Sequence, residues 1–375
     1  MPRRRGWLAR RFFQNLRLEY PGPNRDAAAI GVGAFIGCLP FFGFHLLLTI
    51  VAGRVLHLNR LKMYAAANLS NPVMAPFLIF AEVQTGAWLR RRDVHDLTVE
   101  AIRQMDPWSL GGDLLLGSVC VGAVIGTILT LCTIAAIRPA LPLPPAIDAV
   151  FAAAADRYID TTITAWEFAR GKLRGDGVYA ALFSGILPSG TAFADVGCGQ
   201  GLTLASLIEA RRLYQLGAWP YETPPPLFDR VIGIEMRRRV AAIARDALGG
   251  DAEIIHASAP EGLPPAVAAA ALFDVLHLLP PADQEALLVA IGSRMASGAV
   301  LLVREADSDT PKGFMRVRVG NRIKAIAVGR WTQRFYFRGV REWTALFNRL
   351  GWQVEMPAIS NAAGFANVLF RLTKI

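Results

Sequence analysis

The stretch from Phe193 to Leu202, FADVGCGQGL, constrains the fold of this chain more than any other. An apolar run ends at Asp195, three glycines follow at every second position, and an apolar-periodic segment begins at Leu202. This order predicts a strand, a tight turn and a helix, because glycine accepts the backbone angles of such a turn and lets a ligand approach the backbone. A loop that merely turns the chain is the alternative interpretation.

The glycine spacing decides which ligand is expected. Gly197, Gly199 and Gly201 form GxGxG, whereas a dinucleotide-binding loop has GxGxxG and would place its third glycine at Leu202. With an acid two residues before the first glycine, the stretch resembles motif I of the class I S-adenosylmethionine-dependent methyltransferases. The resemblance implies that Asp195 and the glycine loop hold the methionine and ribose parts of S-adenosylmethionine.

Beyond the loop, strand and helix patterns alternate as a doubly wound sheet requires, which predicts an α/β, Rossmann-like domain. Predicted strands lie at 231–234, 252–256, 270–273, 298–303, 352–356 and 366–372, and predicted helices at 202–213, 237–248 and 340–350. With the strand before the glycine loop this makes seven strands, and the last two fit the antiparallel sixth and seventh strands of the methyltransferase family.

Two residues after these strands are expected to contact the cofactor. Glu235 closes the second predicted strand, where a carboxylate can accept hydrogen bonds from both ribose hydroxyls. The 34 positions from Gly201 to Glu235 exceed the usual interval of about 20 because of a proline-rich insertion at 217–228. After the third strand, Ser258 occupies the place where the family often offers an Asp to the adenine amino group. Adenine recognition is therefore expected from Ser258 or from backbone groups.

The fourth predicted strand ends in Asp274-Val275-Leu276-His277, and the carboxyl ends of the strands form the ligand crevice of this fold. We expect His277 and Asp274 to be catalytic, and Asp274 to contact the cofactor as well. The DVLH run followed by Gln284 resembles bacterial small-molecule methyltransferases. His277 is either a general base for an acceptor hydroxyl or a positioning residue.

The amino-terminal part is apolar and points to membrane segments. Hydrophobic residues make up 53% of the 375-residue chain, and their excess lies before residue 140. Residues 114–137 carry no charge and predict a transmembrane helix, whereas the apolar regions 27–56 and 63–89 are interrupted at Pro40 and at Asn71-Pro72. The basic residues 1–26 fit a helix on an anionic membrane surface, and the net charge of +10 fits the positive-inside rule better than nucleic-acid binding.

This region resembles a bacterial inner-membrane family known as domain of unknown function 2062. The matching residues are Gly31, Gly33, Gly37, Pro40, Gly43, His45, Asn59, Asn71, Pro72 and Gly86. Val73-Met74 depart from the family, which usually has a threonine after the Asn-Pro pair. His45 either has a function within the membrane or hydrogen-bonds the irregular backbone beside it.

These segments predict three parts: a helical inner-membrane domain at 1–138, a proline-rich linker at 139–145 and a class I methyltransferase domain at 146–375. The positive-inside rule and a cytosolic cofactor place both ends in the cytoplasm, with an even number of crossings and 27–56 as a hairpin. None of the four cysteines is spaced as a disulfide framework or zinc site, so we expect no metal and a reduced cytoplasmic domain.

We therefore expect a membrane-anchored methyltransferase that acts on a hydrophobic, lipid-linked or carrier-linked small molecule, with membrane lipids as partners and no nucleic acid. Three stretches, at 168–179, 217–220 and 364–370, resemble methyltransferases found with bacterial aryl-polyene pigment pathways. Envelope biosynthesis is a related setting. The alternative is a non-catalytic membrane scaffold or transport component whose second domain only senses the cofactor.

Overall fold

A computed structural model describes residues 16, 19–92, 94, 106–136, 141–162, 164–327, 329–359 and 364–375. The chain forms two compact units, Met1–Ile137 and Arg138–Ile375. The predicted surface helix at 1–26 and the segment 90–106 lie largely outside the described residues, as do residues 137–140 at the start of the predicted linker.

The amino-terminal unit is helical. Its helices are α1 (Pro23–Cys38), α2 (His45–Leu56), α3 (Arg60–Ala67), α4 (Ala75–Arg91) and α5 (Pro107–Ala136), and a 3-10 turn covers Asn68–Ser70. The helical pattern is broken between α1 and α2 and between the 3-10 turn and α4, where proline and glycine interrupt the two apolar regions. Among the described residues, α5 alone is long and apolar enough to cross a membrane by length and composition, with a mean hydropathy of 2.3.

Glycines set the directions of these helices by allowing close backbone contact. A side chain on Gly33 would overlap the backbone of Met63, and one on Gly37 would overlap Ala67, so α1 and α3 lie side by side and run parallel. Gly86 lies against the backbone of Asp113. Gly117 on α5 lies against Glu82 on α4, so these two helices run antiparallel.

The same reasoning relates α1 to α5. Gly31 lies against Gly126, and Gly122 lies against Phe35, so α5 also runs antiparallel to α1. Since α1, α3 and α4 all run in one direction, α3 and α4 form one broken helical path, whereas α2 returns toward the beginning of α1. An ion pair of 2.5 Å between Glu19 and Arg60 joins the two ends of the α1–α2 hairpin.

The carboxy-terminal unit is an α/β fold. Its helices are α6 (Pro145–Asp156), α7 (Ala165–Gly175), α8 (Gly177–Ala181), α9 (Leu202–Gln215), α10 (Arg238–Leu248), α11 (Pro281–Ser293), α12 (Pro311–Ala327) and α13 (Val340–Arg349). Its strands are β1 (Gly190–Val196), β2 (Phe228–Ile234), β3 (Glu253–Ile255), β4 (Val267–Phe273), β5 (Met295–Ala306), β6 (Trp352–Glu355) and β7 (Asn367–Lys374).

These strands form one seven-stranded sheet in the order β3-β2-β1-β4-β5-β7-β6. Neighbours from β3 to β5 pair in parallel, and β7 pairs antiparallel with both β5 and β6. The order reverses at β1, where β2 and β4 lie on either side, so the carboxyl ends of β1 and β4 form the crevice of a doubly wound sheet. The predicted seven-stranded, Rossmann-like fold is confirmed.

Two hydrophobic layers cover the faces of this sheet. Consecutive residues of β1 point to opposite faces, so Phe193 packs in one layer with Phe151 and Leu204, and Ala194 in the other with Trp343. Because both faces are buried, β1 and β4 are almost wholly apolar until their last residues. The sequence becomes polar only where the strands end, which is where the candidate site lies.

Candidate functional site

The glycine loop at the end of β1 forms the floor of the candidate site. Gly197, Gly199 and Gly201 have φ values of 76°, 57° and 80°, a region that L side chains rarely adopt. A side chain on Gly197 would overlap Val275 after β4, and one on Gly201 would overlap Leu248. A Cβ on Gly199 would meet nothing within 4 Å, so the loop presents bare backbone to open space there.

Glu235, at the end of β2, is hydrogen-bonded to this loop. Its Oε2 accepts from the Gly199 N–H at 3.0 Å, and its Oε1 accepts from the Arg237 N–H at 2.8 Å. The Arg237 guanidinium also donates to both oxygens. Burial would raise the pKa of Glu235, but these bonds outweigh it and hold the pKa below its usual range. A carboxylate fixed in ionised form beside the open space at Gly199 is suited to accept hydrogen bonds from hydroxyl groups.

Asp195 is buried at the end of β1. Burial raises the pKa of its carboxyl to about 7, a hydrogen bond from Thr203 acts in the opposite direction, and the nearby charge of Glu235 adds to the increase. A bound cation would lower this pKa, since it would stabilise the ionised form. A positively charged ligand would therefore stabilise the ionised form of Asp195 at neutral pH.

Tyr158, just after α6, fixes the glycine loop from behind. The side chain is fully buried, and its hydroxyl donates to the Gln200 carbonyl at 2.7 Å. Nothing in the sequence pattern distinguishes Tyr158 from a core aromatic residue, and the bond joins residues 42 positions apart.

A buried ionic network holds the end of β4. Asp274 has φ 59°, an angle that aspartate tolerates better than most residues, and both its oxygens accept from the Arg304 guanidinium of β5. Arg304 is buried and also pairs with Asp176, which Lys172 contacts at 2.6 Å. Burial would raise the pKa of Asp176, but the charges of Arg304 and Lys172 keep it below its usual range. Asp274 is thus paired with a cation, which makes it an orienting group rather than a free base.

His277 lies in the turn after β4 and is paired with Glu305 at the end of β5. His277 Nδ1 is 2.7 Å from Glu305 Oε2, and both groups are buried. Glu305 Oε1 accepts from the backbone N–H of Leu276 at 2.7 Å, which fixes the carboxylate. A carboxylate at Nδ1 favours the tautomer with its proton there, leaving Nε2 as the acceptor. Within the described residues, Nε2 has no hydrogen-bond partner.

Gln284 connects this turn to the segment before α13. Its amide nitrogen donates to the carbonyls of Leu276 and Tyr336, both at 3.0 Å, and its oxygen accepts from Arg338 at 2.7 Å. The side chain is fully buried. Gln284 therefore fixes both the backbone of the turn that carries His277 and the backbone of the segment before α13.

Aromatic rings cover one side of His277. The Phe337 ring stacks on the imidazole at 5.1 Å with an interplanar angle of 10°, and Phe335 lies 6.1 Å away. Phe314 of α12 meets Phe337 edge to face at 5.0 Å. Phe335 and Phe337 thus form an apolar wall beside the imidazole.

Ser258 is the candidate residue that the structure connects least to the others. The side chain is exposed in the loop after β3, and the Ser258 carbonyl accepts from the Glu261 N–H at 3.0 Å. In the described part of the chain, no hydrogen bond joins its hydroxyl to Asp195, Glu235 or Asp274. Its position after β3 still places it at the same edge of the sheet.

The described residues contain no group of three or more His, Cys, Asp or Glu side chains that could hold a metal ion. In the amino-terminal unit, a cavity of about 220 Å³ is lined by residues of the α1–α2 turn and the end of α3, including His45, Tyr64 and Asn68. His45 Nε2 lies 2.9 Å from the Leu39 carbonyl, so this histidine hydrogen-bonds the irregular backbone beside it.

The sheet order and the glycine loop define the fold of the second unit. Five parallel strands in the order 3-2-1-4-5, with β7 inserted antiparallel between β5 and β6, carry GxGxG after the first strand. The carboxy-terminal unit has a class I methyltransferase fold. In the other unit, residues 7–140 match the family described as "Uncharacterized protein conserved in bacteria (DUF2062)", which confirms the predicted resemblance.

Solved structures of methyltransferases resemble the class I unit. Magnesium protoporphyrin IX methyltransferase from Synechocystis, crystallised with bound S-adenosylhomocysteine, is 15% identical, with 53% of this chain and 80% of that chain covered and a TM-score of 0.36. An S-adenosylmethionine-dependent methyltransferase from Leishmania major is 15% identical over 60% of this chain and 83% of its own, with a TM-score of 0.41.

A possible histamine N-methyltransferase from Thermotoga maritima is 17% identical over 53% of this chain and 90% of its own, with a TM-score of 0.35. At this identity the likeness concerns the fold alone. No curated protein sequence matches the chain.

Proposed function

We propose that this protein is a membrane-anchored, S-adenosylmethionine-dependent methyltransferase whose acceptor is a hydrophobic, lipid-linked or carrier-linked small molecule. The observation that carries the proposal is the meeting of two arrangements at the carboxyl edge of one sheet. One is the bare glycine loop flanked by Asp195 and Glu235, and the other is the His277–Glu305 pair. Val275, which borders Gly197, connects the two.

The cofactor fits the first arrangement by charge and by shape. Gly199 leaves open space where any other residue would place a Cβ, and its N–H is already fixed by Glu235. Glu235 would accept from the ribose hydroxyls as Arg237, which is half exposed, moves aside. Asp195 would face the positive charge of the methionine part. Ser258 and backbone groups near it remain the proposed partners of the adenine.

The second arrangement fits proton removal from an acceptor. When bound, S-adenosylmethionine supplies an electrophilic methyl group. His277 Nε2 would take the proton of an acceptor hydroxyl, and Glu305 would stabilise the resulting imidazolium through Nδ1–H. Asp274, held by Arg304, would orient the cofactor or acceptor. The rings of Phe335 and Phe337 would contact an apolar part of the acceptor and exclude water.

The helix directions support anchoring with both ends on one side. α1 and α2 form a hairpin whose ends meet at the Glu19–Arg60 pair, α3 and α4 form one broken crossing, and α5 forms the return crossing. In the proposed topology the chain crosses the membrane twice, and the segment between α4 and α5 is external. Arg90 is paired with the buried Asp113 at 2.8 Å, which offsets part of the positive charge beside the span. We propose a multi-pass inner-membrane protein with a cytoplasmic catalytic unit.

The proposal is tested with membranes from cells that produce the full chain, incubated with S-adenosylmethionine carrying an isotopic label in its methyl group. We expect label in one compound of the organic extract, and none when the chain carries Gly199→Val. Label in an aryl-polyene-like compound or in an envelope lipid would support the proposed class of biosynthetic pathway. Binding of the cofactor without transfer to any component of the extract would favour the non-catalytic scaffold instead.

A further inference from the structure

The segment from α12 to the start of α13 carries an unusual concentration of positive charge. Residues 311–341 contain nine Lys or Arg side chains and no Asp or Glu. The cations are Lys312, Arg316, Arg318, Arg322, Lys324, Arg330, Arg334, Arg338 and Arg341. Such a run fits an anionic partner, because no acid within it reduces the local potential.

An exposed apolar stripe runs along α12 between these cations. Met315, Val319 and Ile323 follow at i, i+4 and i+8, and their exposed fractions are 51%, 48% and 61%. Ile326 continues the same face, and Trp331 follows the helix with 68% of its surface exposed. At 3.6 residues per turn these positions share one side of the helix. This stripe, Met315 to Ile326, is called the outer face of α12.

The opposite face of α12 attaches the helix to the catalytic unit. Gly313 and Ala325 are buried, and Phe314 packs edge to face on Phe337 at 5.0 Å. Arg322 donates to the carbonyls of Trp331 and Gln333, both at 3.2 Å, which fixes the chain after the helix. The outer face is therefore presented by a packed helix, and its exposure does not result from unfolding.

We propose that the outer face of α12 lies on an anionic lipid bilayer. Exposed apolar side chains with arginines on both borders and a nearby tryptophan are the pattern of an interfacial helix, in which the apolar residues enter the acyl boundary and the cations meet the headgroup phosphates. A nucleic acid would match the charge but would leave Met315, Val319 and Ile323 in water. The charge and the stripe together thus favour lipid.

A bilayer contact at the outer face of α12 would fix the orientation of the catalytic site relative to the membrane. This step rests on the proposed function. Phe314 on the inner face of α12 touches Phe337, which stacks on His277, so two aromatic rings in series connect this helix with the imidazole. An acceptor with an apolar tail could remain in the bilayer while its polar end reaches His277. The lipid contact itself does not require methyl transfer.

Hydrogen exchange of the full chain in lipid nanodiscs tests the contact without relying on activity. One set of nanodiscs contains phosphatidylcholine alone, and the other contains phosphatidylcholine with phosphatidylglycerol. We expect amides of 311–331 to exchange at least about threefold more slowly in the anionic discs, and the difference to disappear in about 1 M salt, where the Debye length falls to about 3 Å. Exchange of α11 serves as the internal reference and should be equal in both.

Charge-reversal variants distinguish a lipid contact at the outer face of α12 from a general effect of the net charge. Lys312→Glu with Arg318→Glu should remove the protection, whereas Arg212→Glu with Arg238→Glu, the same charge change on exposed cations of α9 and α10, should retain it. The chosen cations have no ion pair within the described residues. Equal exchange in neutral and anionic discs, or protection by an RNA oligonucleotide but not by anionic lipid, would overturn the proposal. Either result leaves the proposed methyl transfer open to its own test.

Discussion

His277 Nδ1 lies 2.7 Å from Glu305 Oε2, and the same carboxylate accepts a backbone N–H from the turn that carries the histidine. Glu305 therefore fixes both the position of the imidazole and its tautomer. Since His277 follows β4 and Glu305 lies near the end of β5, the pair depends on the β4–β5 register, in which Phe273 pairs with Arg304.

His277→Ala is expected to lower turnover by about 10²- to 10⁴-fold, the range of a positioned general base, and to leave cofactor affinity nearly unchanged. Glu305→Gln should also reduce turnover and shift its pH profile, because the amide no longer stabilises an imidazolium. Steady-state rates and cofactor titration over a pH series measure both effects. Glu355→Gln, on an exposed acid, is the control. Normal turnover of His277→Ala would exclude this residue as the base.

Gly199→Val is expected to abolish cofactor binding, because it places side-chain atoms in the open space beside the loop. Gly217→Val is a matched control, since Gly217 also has a positive φ, 69°, and also faces open space, but lies in the insertion after α9. Calorimetric titration of the solubilised full chain with S-adenosylmethionine measures both. Equal loss in the two variants would mean that backbone strain, and not ligand overlap, explains the effect.

Cofactor affinity is expected to rise with pH. Burial raises the pKa of Asp195 to about 7, so its ionised fraction increases from about 0.1 at pH 6 to about 0.9 at pH 8. If the carboxylate faces the cationic cofactor, affinity should be about tenfold higher at pH 8, and Asp195→Asn should remove this dependence. Titrations at the two pH values measure it. A wild-type affinity that falls as pH rises would contradict the assignment of Asp195.

Arg304→Met is expected to destabilise the catalytic unit by about 3 to 5 kcal/mol, because it leaves Asp176 and Asp274 without their buried cation. For a domain of this size, that corresponds to a decrease in Tm of about 6 to 20 °C. Arg349→Met removes an exposed pair with Glu285 and should cost no more than about 1 kcal/mol. Scanning fluorimetry of both variants compares them, and similar Tm values would refute the structural role of the network.

The sequence pattern predicts the parts of the site that are encoded within a few consecutive residues. It misses the parts that depend on contacts between residues far apart in the chain. The loop from Asp195 to Leu202 and the acid after β2 are visible because strand, turn and helix chemistry follow each other within a few residues. The pairing of Glu305 with His277 has no local signature, because the two residues are 28 positions apart. The Arg304–Asp176 pair joins residues 128 positions apart, and no local pattern specifies it.

The strand bounds differ for a similar reason. β4 begins at Val267 and β5 extends from Met295 to Ala306, beyond the predicted 270–273 and 298–303, because strand pairing continues past the predicted bounds: Val267 pairs with Met295, and Ala306 pairs with Asn367 of β7. α12 was not predicted. Its cations and apolar residues are interleaved on the exposed side, so the usual contrast between a polar and an apolar face is missing.

The most direct test of the central claim is the formation of S-adenosylhomocysteine by the purified full chain in nanodiscs supplied with an extract of its own membranes. Methyl transfer predicts S-adenosylhomocysteine in equal amount to labelled product, dependent on the extract and lost in Gly199→Val. Tight binding of S-adenosylmethionine with no S-adenosylhomocysteine formed on any fraction of the extract would contradict an enzyme and leave the cofactor-sensing scaffold.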